Sequence, residues 1–222
     1  MPREHHLETR RTARYFTLGT PSEAVSEVWF VLHGYGQLAG TFIEEFAALD
    51  DGRRLIVAPE GLSRFYAQGS GGPDSKVGGS WMTREDRLVE IEDYLRYLDA
   101  LHDAVFAQVP RERVRLTLLG FSQGTATASR WALRGKGRVD RLVLWAGVLP
   151  PDTEWRAEAR RLNALGLTFV IGERDEWASG NLALAEGALE RAGVSHRLVT
   201  FAGGHRMDRD CLRAIADTAP GR

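Results

Sequence analysis

Apolar positions along this chain fall into two alternating rhythms. Short, nearly continuous apolar runs occur at Val28–Leu32, Leu55–Ala58, Val114–Phe121, Leu142–Ala146, Leu167–Ile171 and Arg197–Phe201, each followed by glycine or another turn residue. Their length and β-branched content predict strands buried on both faces. Between several of them the spacing turns helical: Arg84–Ala107 carries Leu88, Ile91, Leu95, Leu98 and Leu101 on one face, Asn181–Ala192 is rich in Ala and Leu, and a helix is predicted over Thr125–Leu133. Strand and helix alternation of this kind implies βαβ units, hence an α/β fold with a mostly parallel sheet and helices on both faces. Arg11–Thr17 is expected to add an edge strand. Residues 61–80 are rich in Gly and Ser, and are predicted to form a long flexible lid or binding loop in which Phe65 and Tyr66 offer something to pack.

Composition narrows the class. A length of 222 residues predicts one domain over 1–222, and 43% hydrophobic with 27% charged residues excludes a disordered or fibrous chain. Twenty-nine Lys and Arg against thirty Asp and Glu leave a net charge of −1, which gives no field for nucleic acid or an acidic membrane. The lone Cys211 forms no internal disulfide, and no Cys/His ligand spacing suggests structural zinc. The first 27 residues hold no apolar signal region and no later run approaches 18 apolar residues, so a cytoplasmic protein without membrane insertion is expected.

The sharpest chemical signal is Gly120-Phe121-Ser122-Gln123-Gly124, between a predicted buried strand and a predicted helix. A strand-to-helix turn this tight strains its middle residue and needs small neighbours, so Gly120 and Gly124 let the backbones pass while Ser122 projects outward. The same turn aims the Gln123 amide and a helix start at any oxyanion forming beside Ser122. Serine is a poor nucleophile at neutral pH, so this reading demands a histidine base and an orienting carboxylate, in the chain order Ser, acid, His. His205, in the loop Gly203-Gly204-His205 after the last strand, is the candidate base. Asp175, in Gly172-Glu173-Arg174-Asp175-Glu176, is the first choice for the acid, with Glu173 and Glu176 as competitors. His33-Gly34-Tyr35-Gly36 ends another strand; there His33 reads as structural and the Tyr35 amide as the second oxyanion donor. A phosphate-binding loop is excluded because its Lys and Ser/Thr are missing.

Together, LHGYG, GFSQG, GERDE and GGHRMD resemble the α/β-hydrolase fold, and specifically the phospholipase/carboxylesterase group that includes the acyl-protein thioesterases. The resemblance implies hydrolysis of small-molecule carboxylic esters or thioesters through an acyl-serine, with Ser122 as nucleophile, His205 as base and Asp175 as orienter, and without metal or cofactor. It also implies that Trp81, Val148 and Leu149 of the Ala146–Pro150 segment, and Trp177 line the substrate pocket. Departures are Trp177 beside the acid, where a small β-branched residue is usual, and Thr125 where a second glycine often follows the elbow. A non-catalytic binding protein on the same fold, and an acyltransferase or lactone hydrolase, are the competing readings. Monomer and homodimer are both compatible with the sequence.

Overall fold

The computed structural model describes residues 1–69, 71–72 and 74–218. Seven strands form one sheet: β1 (Tyr15–Leu18), β2 (Glu27–Leu32), β3 (Arg54–Pro59), β6 (Arg115–Phe121), β7 (Arg141–Trp145), β8 (Thr168–Gly172) and β9 (Arg197–Phe201). Their spatial order is β1-β3-β2-β6-β7-β8-β9, and every pairing is parallel except the antiparallel edge of β1 on β3. The mostly parallel α/β sheet expected from the apolar runs is the observed one. The edge strand begins at Tyr15, later than the expected Arg11.

Side-chain alternation along β2 sends Val28, Phe30 and Leu32 into one core and Trp29 and Val31 into another. The first core is covered by α2 (Arg87–Phe106), α3 (Gln123–Arg134), α4 (Trp155–Ala164) and α5 (Glu176–Ala192). The second lies under α1 (Ala39–Phe42), the 3₁₀ segment Ile43–Leu49 and α6 (Arg209–Asp217). In α2 the buried stripe is Ile91, Tyr94, Leu95, Leu98, Leu101 and Val105, whereas Leu88, expected on it, is exposed. The helix begins only at Arg87, so Leu88 sits in its first turn.

The expectation for residues 61–80 is corrected. Among its described residues, Ser63–Gln68 (β4) and Lys76–Ser80 (β5) pair antiparallel as a two-stranded sheet, with a register shift near Tyr66 and Gln68. Residues 70 and 73 lie outside the described residues. This hairpin joins the turn after β2 through its backbone: the Gly36 amide donates to the Gly79 carbonyl (2.9 Å), and the Gly79 amide donates to the Gln37 carbonyl (3.0 Å). Gly78 and Gly79 are needed there. A Cβ on Gly78 would stand 2.6 Å from the Gly36 carbonyl oxygen.

The order of strand addition reverses at β2 and β6, which are parallel neighbours although β3 lies on the far side of β2. The two connections leaving β2 and β6 therefore diverge to opposite faces and open a crevice at their C-terminal ends. The turn after β2 and the turn after β6 meet across it.

Candidate active site

Ser122 occupies the turn between β6 and α3 with φ 52° and ψ −116°, a left-handed conformation rare for a residue with a Cβ. Its surroundings over-determine that shape. The Ser122 amide donates to the Trp145 carbonyl (2.9 Å), and the Ser122 carbonyl accepts from both the amide (3.0 Å) and the hydroxyl (2.7 Å) of Thr125. The neighbours must be glycine: a Cβ on Gly120 would lie 2.3 Å from the Gly124 carbonyl oxygen, and one on Gly124 would lie 2.2 Å from that of Leu32. Thr125 thus pins the elbow from below. Gly147 makes room for it, since a Cβ there would stand 2.5 Å from the Thr125 hydroxyl.

His205 reaches this serine from the loop after β9, with Nε2 2.9 Å from Ser122 Oγ. On its other side Nδ1 is 2.7 Å from Asp175 Oδ2. A carboxylate only accepts, so Nδ1 carries the proton and Nε2 presents its lone pair to the hydroxyl. Asp175 is buried and caps α5, its Oδ1 accepting from the Ala178 amide (3.0 Å). Each carboxylate oxygen therefore has one donor, which fixes the carboxylate plane and with it the imidazole. Glu173 and Glu176 are exposed and leave this position to Asp175.

The two loops that bring acid and base together are stitched to each other. Glu173 donates its amide to the Phe201 carbonyl (3.0 Å) and Arg174 to that of Gly203 (2.8 Å). Gly172 permits the approach, because a Cβ there would be 2.5 Å from the Gly204 carbonyl oxygen. Beyond the histidine, the Trp145 indole donates to the Arg206 carbonyl (2.9 Å). The imidazole itself packs against Phe121 and meets the edge of Trp177 at 5.8 Å and 86°.

Opposite the histidine lies the turn His33–Gln37. His33 is fully buried, accepts from the Gly61 amide at Nε2 (3.0 Å) and donates from Nδ1 to the Gly34 carbonyl (2.8 Å). Burial holds its pKa below the usual histidine range, so it stays neutral in the one tautomer these two bonds require. Three amides of the turn are occupied: Gly34 donates to Gln37 Oε1 (2.8 Å), Gly36 to the hairpin and Gln37 to the Gly34 carbonyl (3.2 Å). The Tyr35 amide has no acceptor among the described residues. At the start of α3 the Gln123 amide is one of the donors that a helix cannot satisfy internally. These are the two amides the sequence nominates.

Of the four residues nominated to line a substrate pocket, two are buried. Trp81 is 1% exposed and Leu149 2% exposed, both within the core beneath α2 and α3. The Trp81 indole spends its donor on the His33 carbonyl (2.8 Å), and its ring stacks near His33 and Tyr94. Bulk and apolarity draw both side chains inward. Val148 is half-buried, and Trp177 is exposed beside His205.

The residue that sequence reasoning undervalued is the side chain of Gln123. Its Oε1 accepts from the Trp81 amide (3.1 Å), and its Nε2 donates to the Met82 carbonyl (2.8 Å) and Ser80 Oγ (3.2 Å). β5 and the segment after it thereby hold one nominated amide through Gln123, and the turn that carries the other through Gly79 and the Trp81–His33 bond. A long amide next to the nucleophile was the available signal. Gln123→Met keeps the shape and removes these bonds; kcat is expected to fall about tenfold with KM little changed, read by steady-state kinetics on a short-chain ester with thermal unfolding as control.

Cys211 lies in α6, where burial, with Asp208 beside it, pushes the thiol up to about 11. A thiol this poorly ionised is no nucleophile at neutral pH. Cys211→Ser should leave ester turnover within about twofold of wild type.

The sequence profile of the α/β-hydrolase fold family matches residues 30–170, which include the elbow and the turn after β2. The chain belongs to that family. No curated protein matches this α/β-hydrolase in sequence. Among solved structures it is similar to esterase PE8, with 22% identity over 92% of this chain and 96% of the other at a TM-score of 0.66. It is also similar to a carboxylesterase from Mesorhizobium loti (19% identity, 93% and 95% covered, TM-score 0.67) and to Zea mays acyl-protein thioesterase 2 (16%, 92% and 96%, TM-score 0.65). At these identities the likeness establishes the fold. Among the described residues of this α/β-hydrolase, no helix is long and apolar enough to cross a membrane.

Proposed function

We propose that this α/β-hydrolase is a serine carboxylesterase that cleaves carboxylic esters or thioesters of small to medium acyl groups through an acyl-Ser122 intermediate. The observation that carries the reading is the unbroken chain Ser122 Oγ, His205, Asp175, at 2.9 Å and 2.7 Å. In acylation, Ser122 Oγ bonds to the substrate carbonyl carbon while its proton passes to His205 Nε2, and the carbonyl oxygen becomes an oxyanion between the Tyr35 and Gln123 amides. The carbon–oxygen or carbon–sulfur bond to the leaving group then breaks, and Nε2 returns the proton to that atom. Water repeats the sequence in reverse, releasing the acid and restoring the serine. Asp175 holds the tautomer and stabilises the imidazolium throughout.

The similarity to structures named esterase, carboxylesterase and acyl-protein thioesterase supports the same class. Trp177, exposed and with its ring against the His205 imidazole, offers a short apolar wall beside the base, which supports a small acyl group. The test is turnover of nitrophenyl acetate, butyrate and octanoate by the purified chain. Hydrolysis is expected, fastest with the shorter acids. A folded protein that cleaves none of them refutes the proposal.

A further inference from the structure

Beside His205 lies a cavity of about 570 Å³ whose walls include Gln37, Glu45, Phe121, Met207 and Arg209. That volume is in the range of small-molecule sites. We propose that it is a leaving-group subsite built for a neutral, polyhydroxylated alcohol such as glycerol or a sugar; the inference rests on the acyl-Ser122 reading.

Position comes first. The group that departs must take its proton from His205 Nε2, so it lies against the imidazole, and this cavity shares that imidazole as a wall. Wall chemistry then selects the class. Gln37 Oε1 is occupied by the Gly34 amide, which leaves the two Nε2 hydrogens without a protein acceptor among the described residues. Arg209 Nε stands 3.5 Å from Glu45 Oε2, a loose pair in which both side chains are exposed, so Glu45 Oε1 remains to accept and the terminal nitrogens of Arg209 remain to donate. The neighbouring Asp208 is spent on the Cys211 amide and Arg206. Asp210 is spent on Arg213.

Every carboxylate at this wall thus has an arginine, and no uncompensated charge is left to select an ion. What remains is a mixture of donors and acceptors, and the hydroxyl group is the function that answers both at once. Phe121 and Met207 supply apolar patches suited to the C–H faces of a polyol or pyranose ring. An alkyl alcohol would instead desolvate Gln37, Glu45 and Arg209 and give them no partner in return.

The experiment compares kcat/KM for acetate esters of glycerol, glucose (6-position), ethanol and hexanol, with nitrophenyl acetate as the reference for acylation. All share one acetyl-enzyme, so kcat/KM isolates the step in which the alcohol is bound and expelled. At least one polyol ester is expected to exceed hexyl acetate by about tenfold, and the glycerol and glucose arms tell the two sources apart. In Glu45→Leu/Arg209→Leu that ratio should collapse towards one. Gln37→Glu, which keeps Oε1 on the Gly34 amide and removes both donors, should lower it independently. Hexyl acetate matching or surpassing the polyol esters while nitrophenyl acetate is cleaved, or a polyol preference untouched by these variants, overturns the inference. Absence of all turnover, nitrophenyl acetate included, overturns the esterase reading and this inference together.

Discussion

Ser122→Ala is expected to lower kcat on a short-chain nitrophenyl ester by about 10⁶-fold, and His205→Ala almost as far. Combining them should lower it little more. The reason is geometric: Nε2 lies 2.9 Å from Oγ, so neither atom has a function without the other, and the first substitution already removes the pair. On the proposed mechanism, what survives is the contribution of the Tyr35 and Gln123 amides and of substrate positioning. The fold should persist in both variants, since the Ser122 side chain is not part of the core and the His205 side chain is 41% exposed. Steady-state kinetics with circular dichroism as control measures this, and additive losses in the double variant would contradict a coupled pair.

Asp175→Asn is expected to give the second large loss, about 10⁴-fold in kcat. Oδ1 accepts from the Ala178 amide, and an asparagine oxygen placed there preserves the α5 cap. Its NH₂ group then faces His205 Nδ1 where a carboxylate oxygen had been. Two donors cannot share that contact, so Nδ1 gives up its proton, Nε2 acquires one, and the lone pair that should receive the serine proton is lost. Glu173→Gln and Glu176→Gln, at the exposed competitors, should change kcat by less than about twofold. A large loss at either glutamate with a small one at Asp175 would reassign the acid.

The parallel sheet was legible because its strands are buried on both faces and so read as continuous apolar runs. The elbow was legible because the backbone crossings it needs admit only Gly120 and Gly124, a steric demand that is written directly into residue identity. The hairpin β4–β5 was not. Ser63–Gln68 and Lys76–Ser80 carry no continuous apolar run, and they become strands through pairing with each other and through bonds of Gly79 to Gln37 and Gly36, 42 and 43 residues earlier. Helix α4 was missed for a related reason, since Leu162 is its one buried residue and no apolar stripe marks it. Trp81 shows the limit for single side chains. An indole near a strand end fits a pocket wall and a core equally well, and only the bond to the His33 carbonyl decides between them. Choosing among Glu173, Asp175 and Glu176 likewise needed the loop path, because stitching of residues 173 and 174 to the β9 side turns Asp175 inward at the helix cap.

Phosphonylation mapped to a residue tests the central claim most directly. Treating the folded chain with a fluorophosphonate and sequencing its peptides by tandem mass spectrometry should give one adduct, on Ser122, absent from Ser122→Ala and formed far more slowly in His205→Ala. An adduct on another side chain, or ester hydrolysis that continues with Ser122 unmodified after exhaustive treatment, would contradict the account.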